Sequence, residues 1–308
     1  MKKIKIIITT GVLACLLLGV VGCGALKFSK AQKAYSPPLP DLKTKKFALV
    51  LGGGGARGTA HIGVLEELQR AGLVPDVIIG CSAGAIAGAL YAANPDPNVL
   101  RALVLNGKQA DIISWSLKEW PYSFYDANHL AKYLKQHIKQ NDFAKLKVPL
   151  IVTATNLQFG NTTIFGNGDL ITSIIASAAV PGVFAPVKMH DQYFIDCGVT
   201  DPIPVRVARD LGYETIVAVN IAEQLPETAP NHLLGVLKRS GEIAYIAQCN
   251  YAAEDADVLI DFKFTNIGMF SDDFNEYLYH EGKKAGKKAV PKILAALQTN
   301  QVKGVNIS

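Results

Sequence analysis

The stretch IIGCSAGAIAGAL, residues 78–90, decides how this chain is read. An apolar run ends at Gly80, Ser82 stands between Gly80 and Gly84 in the spacing G-x-S-x-G, and small residues follow. A short apolar run closed by glycine is the pattern of a buried parallel strand. The small residues after it suit a tightly packed helix. A sharp strand-to-helix turn of this kind holds a serine hydroxyl clear of the backbone, and Gly80, Ala83 and Gly84 leave room for the bend. The helix that follows adds its N-terminal dipole. The same residues also fit a serine that merely caps a helix, so the neighbouring segments must decide.

Upstream, KFALVLGGGGARG has the same form: an apolar run (residues 47–51), then glycines, then the helical periodicity of TAHIGVLEELQRAG with Ile62, Leu65 and Leu68 on one face and Gly72 as its stop. Strand, glycine turn and helix occur twice in succession, which is the βαβ pattern of a mostly parallel sheet. Downstream, DANHLAKYLKQHIKQ reads as an amphipathic helix, VPLIVTATNLQFGNTTIFGNG as two strands with a turn at Gly160-Asn161, and DLITSIIASAAV as a helix ended by Pro181. QYFIDCGV is a strand running into a turn, ETIVAVNI and DADVLIDFKF are later strands, and the C-terminal part is mostly helical. The expected fold is a three-layer α/β/α sandwich with a mostly parallel sheet, over residues 46–308.

The glycine loop GGGGARG, residues 52–58, fits two ligands. Gly53, Gly55 and Gly58 make a G-x-G-x-x-G, the dinucleotide fingerprint. That site needs an acid at the C-terminal end of the second strand, and Asp76 lies at its N-terminal end, so no nucleotide is expected. The other ligand is an oxyanion. Backbone N–H groups aimed at a developing negative oxygen stabilise acyl transfer, and glycines let such groups approach closely. Both glycine turns leave C-terminal strand ends of one sheet and so face a common crevice.

A serine nucleophile needs a base. His129 and His137 fall on the amphipathic helix, His190 in the KMHDQ turn, and His232 and His280 in helical stretches; His61 lies in the first helix. None ends a strand in a loop. Asp196 does: it leaves the apolar strand YFI and precedes Gly198. A partly buried carboxylate there has a raised pKa and is a better base.

The glycine loop, the elbow GCSAG and the turn DCG, in that order, resemble the patatin-like phospholipase family, as do VTATNL (152–157) and ASAAVPGVFAPV (176–187). The resemblance runs from about residue 47 to 221. It implies a Ser–Asp dyad without histidine: Ser82 attacks an ester carbonyl, Asp196 takes the proton, and water activated by Asp196 releases the acyl group. Gly53, Gly54 and Gly55, with Arg57 ordering the loop, match the oxyanion segment, and Gly58, Gly80, Gly84 and Gly198 complete the motifs. The implied substrates are phospholipid or other fatty acyl esters; alternatives with the same dyad are an acyltransferase or thioesterase. The family's turn is usually Asp-Gly-Gly or Asp-Gly-Ala, whereas Cys197 holds the middle position here. If that position needs positive φ, cysteine costs of order 1 kcal/mol, which leaves a catalytically impaired lipid-binding or scaffold protein as another reading.

The bounds agree with an exported lipid enzyme. The chain has 308 residues, 49% of them hydrophobic, and a formal net charge of +5. MKKIKIIITTGVLACLLLGVVGCG reads as a signal peptide over residues 1–22, with VVGC resembling a lipobox and Cys23 as the lipidated residue. Cys15 is a weaker alternative, and an uncleaved N-terminal membrane anchor is another. Residues 23–45, rich in Pro and Lys, read as a tether. Gly24 after Cys23 resembles outer-membrane sorting in Gram-negative lipoproteins. Without Lys2, Lys3 and Lys5 the net charge is +2, which suggests no nucleic-acid partner. Of five cysteines, Cys81, Cys197 and Cys249 lie beyond the leader; their odd number and irregular spacing predict no disulfide framework. No metal-ligand motif occurs, and neither a metal nor a cofactor is expected.

Overall fold

The structure is a computed structural model and describes residues 26–305 apart from 29, 41, 109–110, 117 and 119–121. The expected signal peptide and Cys23 lie outside the described residues. In chain order the elements that position the site are β1 (Phe47–Leu51), α1 (Thr59–Arg70), β2 (Val77–Cys81), α2 (Ala83–Ala93) and α3 (Pro97–Asn106). They are followed by β3 (Ser114–Trp115), β4 (Tyr125–Asp126), α4 (Asn128–His137), β5 (Leu150–Asn156), β6 (Thr162–Phe165) and α5 (Leu170–Ser177). The chain closes with β7 (Val187–Met189), β8 (Gln192–Ile195), α6 (Val205–Asp210), β9 (Thr215–Asn220), α7 (Leu233–Glu254), β10 (Val258–Asp261) and α8 (Asn275–Val305).

The main sheet runs β10-β9-β1-β2-β5-β8-β7, with β6 also on β5. From β10 to β5 every pairing is parallel; β6, β7 and β8 form an antiparallel margin. β1, β2, β5 and β9 are buried along their whole length because helices cover both faces, while β10 at the edge alternates buried and exposed. Alternation along β1 shows the layering: Leu49 and Leu51 join the core beneath α1, α2, α4, α5 and α8, while Ala48 and Val50 join the core beneath α6 and α7. This is a three-layer α/β/α sandwich with a mostly parallel sheet.

Part of the stretch read as a tether lies on the domain. The Tyr35 N–H donates to Gln192 Oε1 and its ring stacks on His190, and the Pro38 carbonyl accepts from Asn167. α7 is unusual in the opposite sense. Of its 22 residues only Cys249 is buried, and Leu233, Leu234 and Leu237 stand exposed. No helix among the described residues is long and apolar enough to cross a membrane.

Candidate active site

β2 ends at Cys81 and α2 begins at Ala83, so Ser82 alone makes the turn. Its backbone sits at φ 52°, ψ −117°, a region that L residues avoid. A non-glycine residue held there costs of order 1–3 kcal/mol and persists only where its surroundings impose it. Two contacts do so. The Ser82 N–H donates to Ser177 Oγ at 2.8 Å. Gly84 passes so close to the Leu51 carbonyl that a Cβ there would collide with backbone. Ser82 is 7% exposed.

Asp196 follows β8, the strand beyond β5 from β2. Its N–H donates to the Ala179 carbonyl at 2.9 Å, and its carbonyl accepts from Thr155 Oγ1 at 2.8 Å. Oδ1 accepts from the Gly198 N–H at 2.7 Å, while Oδ2 is buried without a hydrogen bond. Burial pushes the carboxyl up to about 6; the Ser82 hydroxyl and the Gly198 N–H pull against that rise. The Ser82 hydroxyl is thus near enough to stabilise the carboxylate, yet the oxygen left over stays an open acceptor. Such looseness is common before substrate binds. Asp201, whose N–H donates to the Cys197 carbonyl at 2.8 Å, is likewise pushed up to about 6 by burial, with Arg206 opposing.

The glycine loop is held peptide by peptide. The Gly52 N–H donates to Val219 and the Gly53 N–H to the Pro202 carbonyl, both at 3.0 Å. The Gly52 carbonyl faces His61 Nε2 at 2.8 Å, so that nitrogen carries the proton. Burial lowers His61 to about 4, which keeps it neutral in this supporting role. The Gly53 carbonyl accepts from the Tyr245 hydroxyl at 2.7 Å. In a trans peptide the next N–H points opposite to that carbonyl, so the bond from Tyr245 also aims the Gly54 N–H. Gly53 itself lies against the Ser82 side chain, and Gly55 takes φ +60° where a Cβ would strike Met269. Of the three glycines matched to the oxyanion segment, Gly53 therefore has its N–H already bonded, and the N–H groups left over are those of Gly54 and Gly55. Arg57 is buried and turned to the loop's supports: Nε donates to the Ile221 carbonyl, and Nη1 to the Ile267 carbonyl and to Glu223. Gly58 packs against Ala83 at the start of α2.

Tyr245 was not among the residues singled out by sequence. It lies mid-helix in α7, and its ring also rests against Gly198. One phenol thus touches both the glycine loop and the aspartate turn. Nothing in its local pattern marks it.

The expectation of no disulfide is overturned. Cys81 and Cys197 are joined, with Cα atoms 5.7 Å apart, and Cys249, buried, is the free thiol among the described residues. Irregular spacing carries no information here, because the two cysteines are brought together by the sheet. The concern over Cys197 also falls: it opens a short 3-10 turn (Cys197–Val199) and is not among the residues at positive φ. Among the described residues, the one group of side chains close enough to hold a metal ion is Cys81, Asp196 and Cys197, and both its sulfurs are engaged in the bridge.

Ser82 opens into an apolar cavity of about 110 Å³ in which, among the described residues, it is the only polar side chain; Ile86, Ile113, Leu130, Phe184, Met269 and Phe270 form much of its wall. None of the histidines lines it. A second cavity of about 140 Å³ shares Gly55, Ala56, Ala83, Ile86, Ile112 and Phe270 with it. The described residues of the segment 111–126 divide between the cavities and solvent. Ile112 and Ile113 face the cavities, whereas Trp115, stacked on Phe124, is 63% exposed. Trp120 lies outside the described residues.

The sequence profile of the patatin-like phospholipase family matches residues 49–209. The lysophospholipase NTE1 of Coccidioides immitis is 30% identical over 181 residues, 58% of this chain and 12% of that protein. An uncharacterized NTE family protein of Mycobacterium tuberculosis is 29% identical over 188 residues, 57% of this chain and 49% of that one. The chain thus spans about an eighth to about half of the length of these curated relatives. The crystal structure of VipD from Legionella pneumophila shares the fold, with a TM-score of 0.53 and 12% identity over 83% of this chain and 67% of that one. With the matched profile covering more than half of its length, from β1 through α6, the chain belongs to the patatin-like phospholipase family.

Proposed function

We propose that the protein is a serine lipid acyl hydrolase of the phospholipase A or lysophospholipase type, working with a Ser82–Asp196 dyad. The observation that carries this is the strained Ser82 turn beside a buried carboxylate whose pKa is raised to about 6. A serine forced to positive φ at a strand end has no structural benefit to offset the strain, and a base that titrates near neutrality is suited to proton transfer.

The reaction is acyl transfer in two steps. Asp196 accepts the Ser82 proton as Oγ bonds the ester carbonyl carbon, and the carbonyl oxygen becomes an oxyanion facing the Gly54 and Gly55 N–H groups. Collapse breaks the bond to the leaving alcohol, which takes the proton from Asp196 and leaves an acyl-enzyme. Asp196 then deprotonates water, whose attack forms the carboxylic acid and returns the proton to Ser82. The apolar cavities suit a fatty acyl chain. The relatives named lysophospholipase support an ester of a lipid as substrate. We propose further that the chain is exported and held at a bacterial membrane by a lipid on Cys23, which concentrates it on an insoluble substrate. The disulfide supports that reading, since such bonds persist in oxidising compartments.

The test is labelling with a fluorophosphonate probe, followed by hydrolysis of lysophospholipid in vesicles. Labelling that vanishes in Ser82→Ala and falls at least a hundredfold in Asp196→Ala supports the dyad. Absence of labelling in a well-folded wild type, or labelling that survives Ser82→Ala, overturns it.

A further inference from the structure

The two residues of the proposed dyad are each bonded to a cysteine, and those cysteines are bonded to each other. Cys81 precedes Ser82, Cys197 follows Asp196, and both are fully buried. The bridge spans a gap that the sheet leaves open. β2 pairs with β5 through Cys81 and Thr153, and β5 pairs with β8 through Thr155 and Ile195, so β2 and β8 share no backbone hydrogen bond. Besides the approach of the Ser82 hydroxyl to Asp196, the turns beyond their ends are related through third parties. Ser177 accepts from Ser82, and Ala179, two residues on, accepts from Asp196. The disulfide ties the two turns directly.

We infer that the Cys81–Cys197 disulfide is a positioning bond that sets the separation of Ser82 and Asp196, and that the protein works at full rate only in its oxidised form. This rests on the hydrolase reading above. Bonded sulfurs lie about 2 Å apart, whereas non-bonded heavy atoms sit at about 3.5–4 Å. Reduction therefore forces two buried sulfurs apart in a packed interior, and each is one residue from a dyad member. Cys197 Sγ is also only 3.9 Å from Asp196 Oδ1, so any movement of the sulfur is felt at the carboxylate. A displacement of about 1 Å at reacting groups can cost a hundredfold in rate. The chemistry of this clamp balances as exchange: a dithiol reductant is oxidised to its own disulfide while Cys81 and Cys197 become two thiols. Closure passes two electrons to a partner protein disulfide, whose two sulfurs take up the two thiol protons.

The experiment uses the full chain, purified in detergent without reductant. Blocking free thiols with N-ethylmaleimide in denaturant, then peptide mapping, should find Cys81 and Cys197 joined and Cys249 alkylated; alkylation of Cys81 and Cys197 overturns the inference. Hydrolysis of a p-nitrophenyl acyl ester is then compared between wild type and Cys81→Ala/Cys197→Gly, which restores the family's glycine. We expect kcat to fall at least tenfold, KM to stay within twofold, and the single Cys81→Ala variant to match the double. A double variant with kcat within twofold of wild type overturns the inference. If the double variant does not fold, wild type reduced with tris(2-carboxyethyl)phosphine, with both thiols verified by alkylation and circular dichroism unchanged, must show the same loss, and undiminished turnover overturns the clamp. A mapped bridge in a wild type without turnover overturns the hydrolase reading and the clamp with it; turnover without a bridge overturns the clamp alone.

Discussion

At the residue scale, Ser82 and Asp196 are both held in states that a residue selected for stability alone would avoid. Ser82 is strained at φ 52°. Glycine accepts that conformation and alanine does not, so Ser82→Gly should be more stable than Ser82→Ala by about 1 kcal/mol in urea unfolding, with both lacking turnover. For Asp196 the linkage has a definite sign. Burial raises its folded-state value to about 6 from the ordinary 3.8. Its contribution to stability is therefore fully present below 3.8 and lost as pH rises through about 6. Asp196→Asn removes that loss. The variant should be inactive yet more stable than wild type at pH 8, by up to about 3 kcal/mol, and the gain should shrink towards pH 4. For catalysis the sign is reversed, because the base must be ionised: kcat/KM should climb with pH to a plateau above about 6. Asp201 titrates in the same window, so the climb must persist in Asp201→Asn if Asp196 is its source.

At the element scale, the site is a meeting of three turns at the C-terminal ends of β1, β2 and β8, held in place by helices. α7 contributes Tyr245, whose hydroxyl fixes the Gly53–Gly54 peptide. Tyr245→Phe keeps the ring against Gly198 and removes only that bond. The Gly54 N–H then loses its aim, and kcat should fall about tenfold with KM within twofold, a fraction of what losing an oxyanion donor outright costs. The bridge between the turns has a second consequence at this scale. It closes a loop over a sequence separation of 116 residues. On the chain-entropy account a loop of that length adds about 5 kcal/mol by constraining the unfolded chain. Guanidinium unfolding of wild type with and without reductant should show a lower midpoint when reduced.

At the scale of the whole molecule, the sandwich covers one face of its sheet with the core that also walls the acyl-sized cavities, and Ile86 on α2 lines both of them. Ile86→Trp should fill their junction. Hydrolysis of long-chain esters should then fall at least tenfold, while acetyl or butyryl esters keep most of their rate; equal losses on both would mean that the chain does not run through this space.

Much of the fold was legible beforehand because it is written in short-range pattern. The apolar runs at residues 47–51 and 77–81, each closed by glycine and followed by helical spacing, could only be parallel strands with crossover helices. The antiparallel margin was half visible: the turn at Gly160-Asn161 marked β5 and β6, but β7, three residues long, has no periodicity to read. Ser82, Asp196 and the glycine loop stood out because each sits at a strand end, where local sequence shows the break.

The sequence by itself determined the two strand–turn–helix units at the start of the domain, their glycine turns and the serine between its glycines, since these depend on residues within a few positions of one another. The tertiary structure alone decided that Cys81 meets Cys197, that Tyr245 reaches Gly53, and that the Gly53 N–H is already bonded. Those contacts join residues 116, 192 and 149 positions apart. They arise from where β8, α7 and the segment after the aspartate turn are laid against the sheet, and separation on that scale leaves no trace in composition or period.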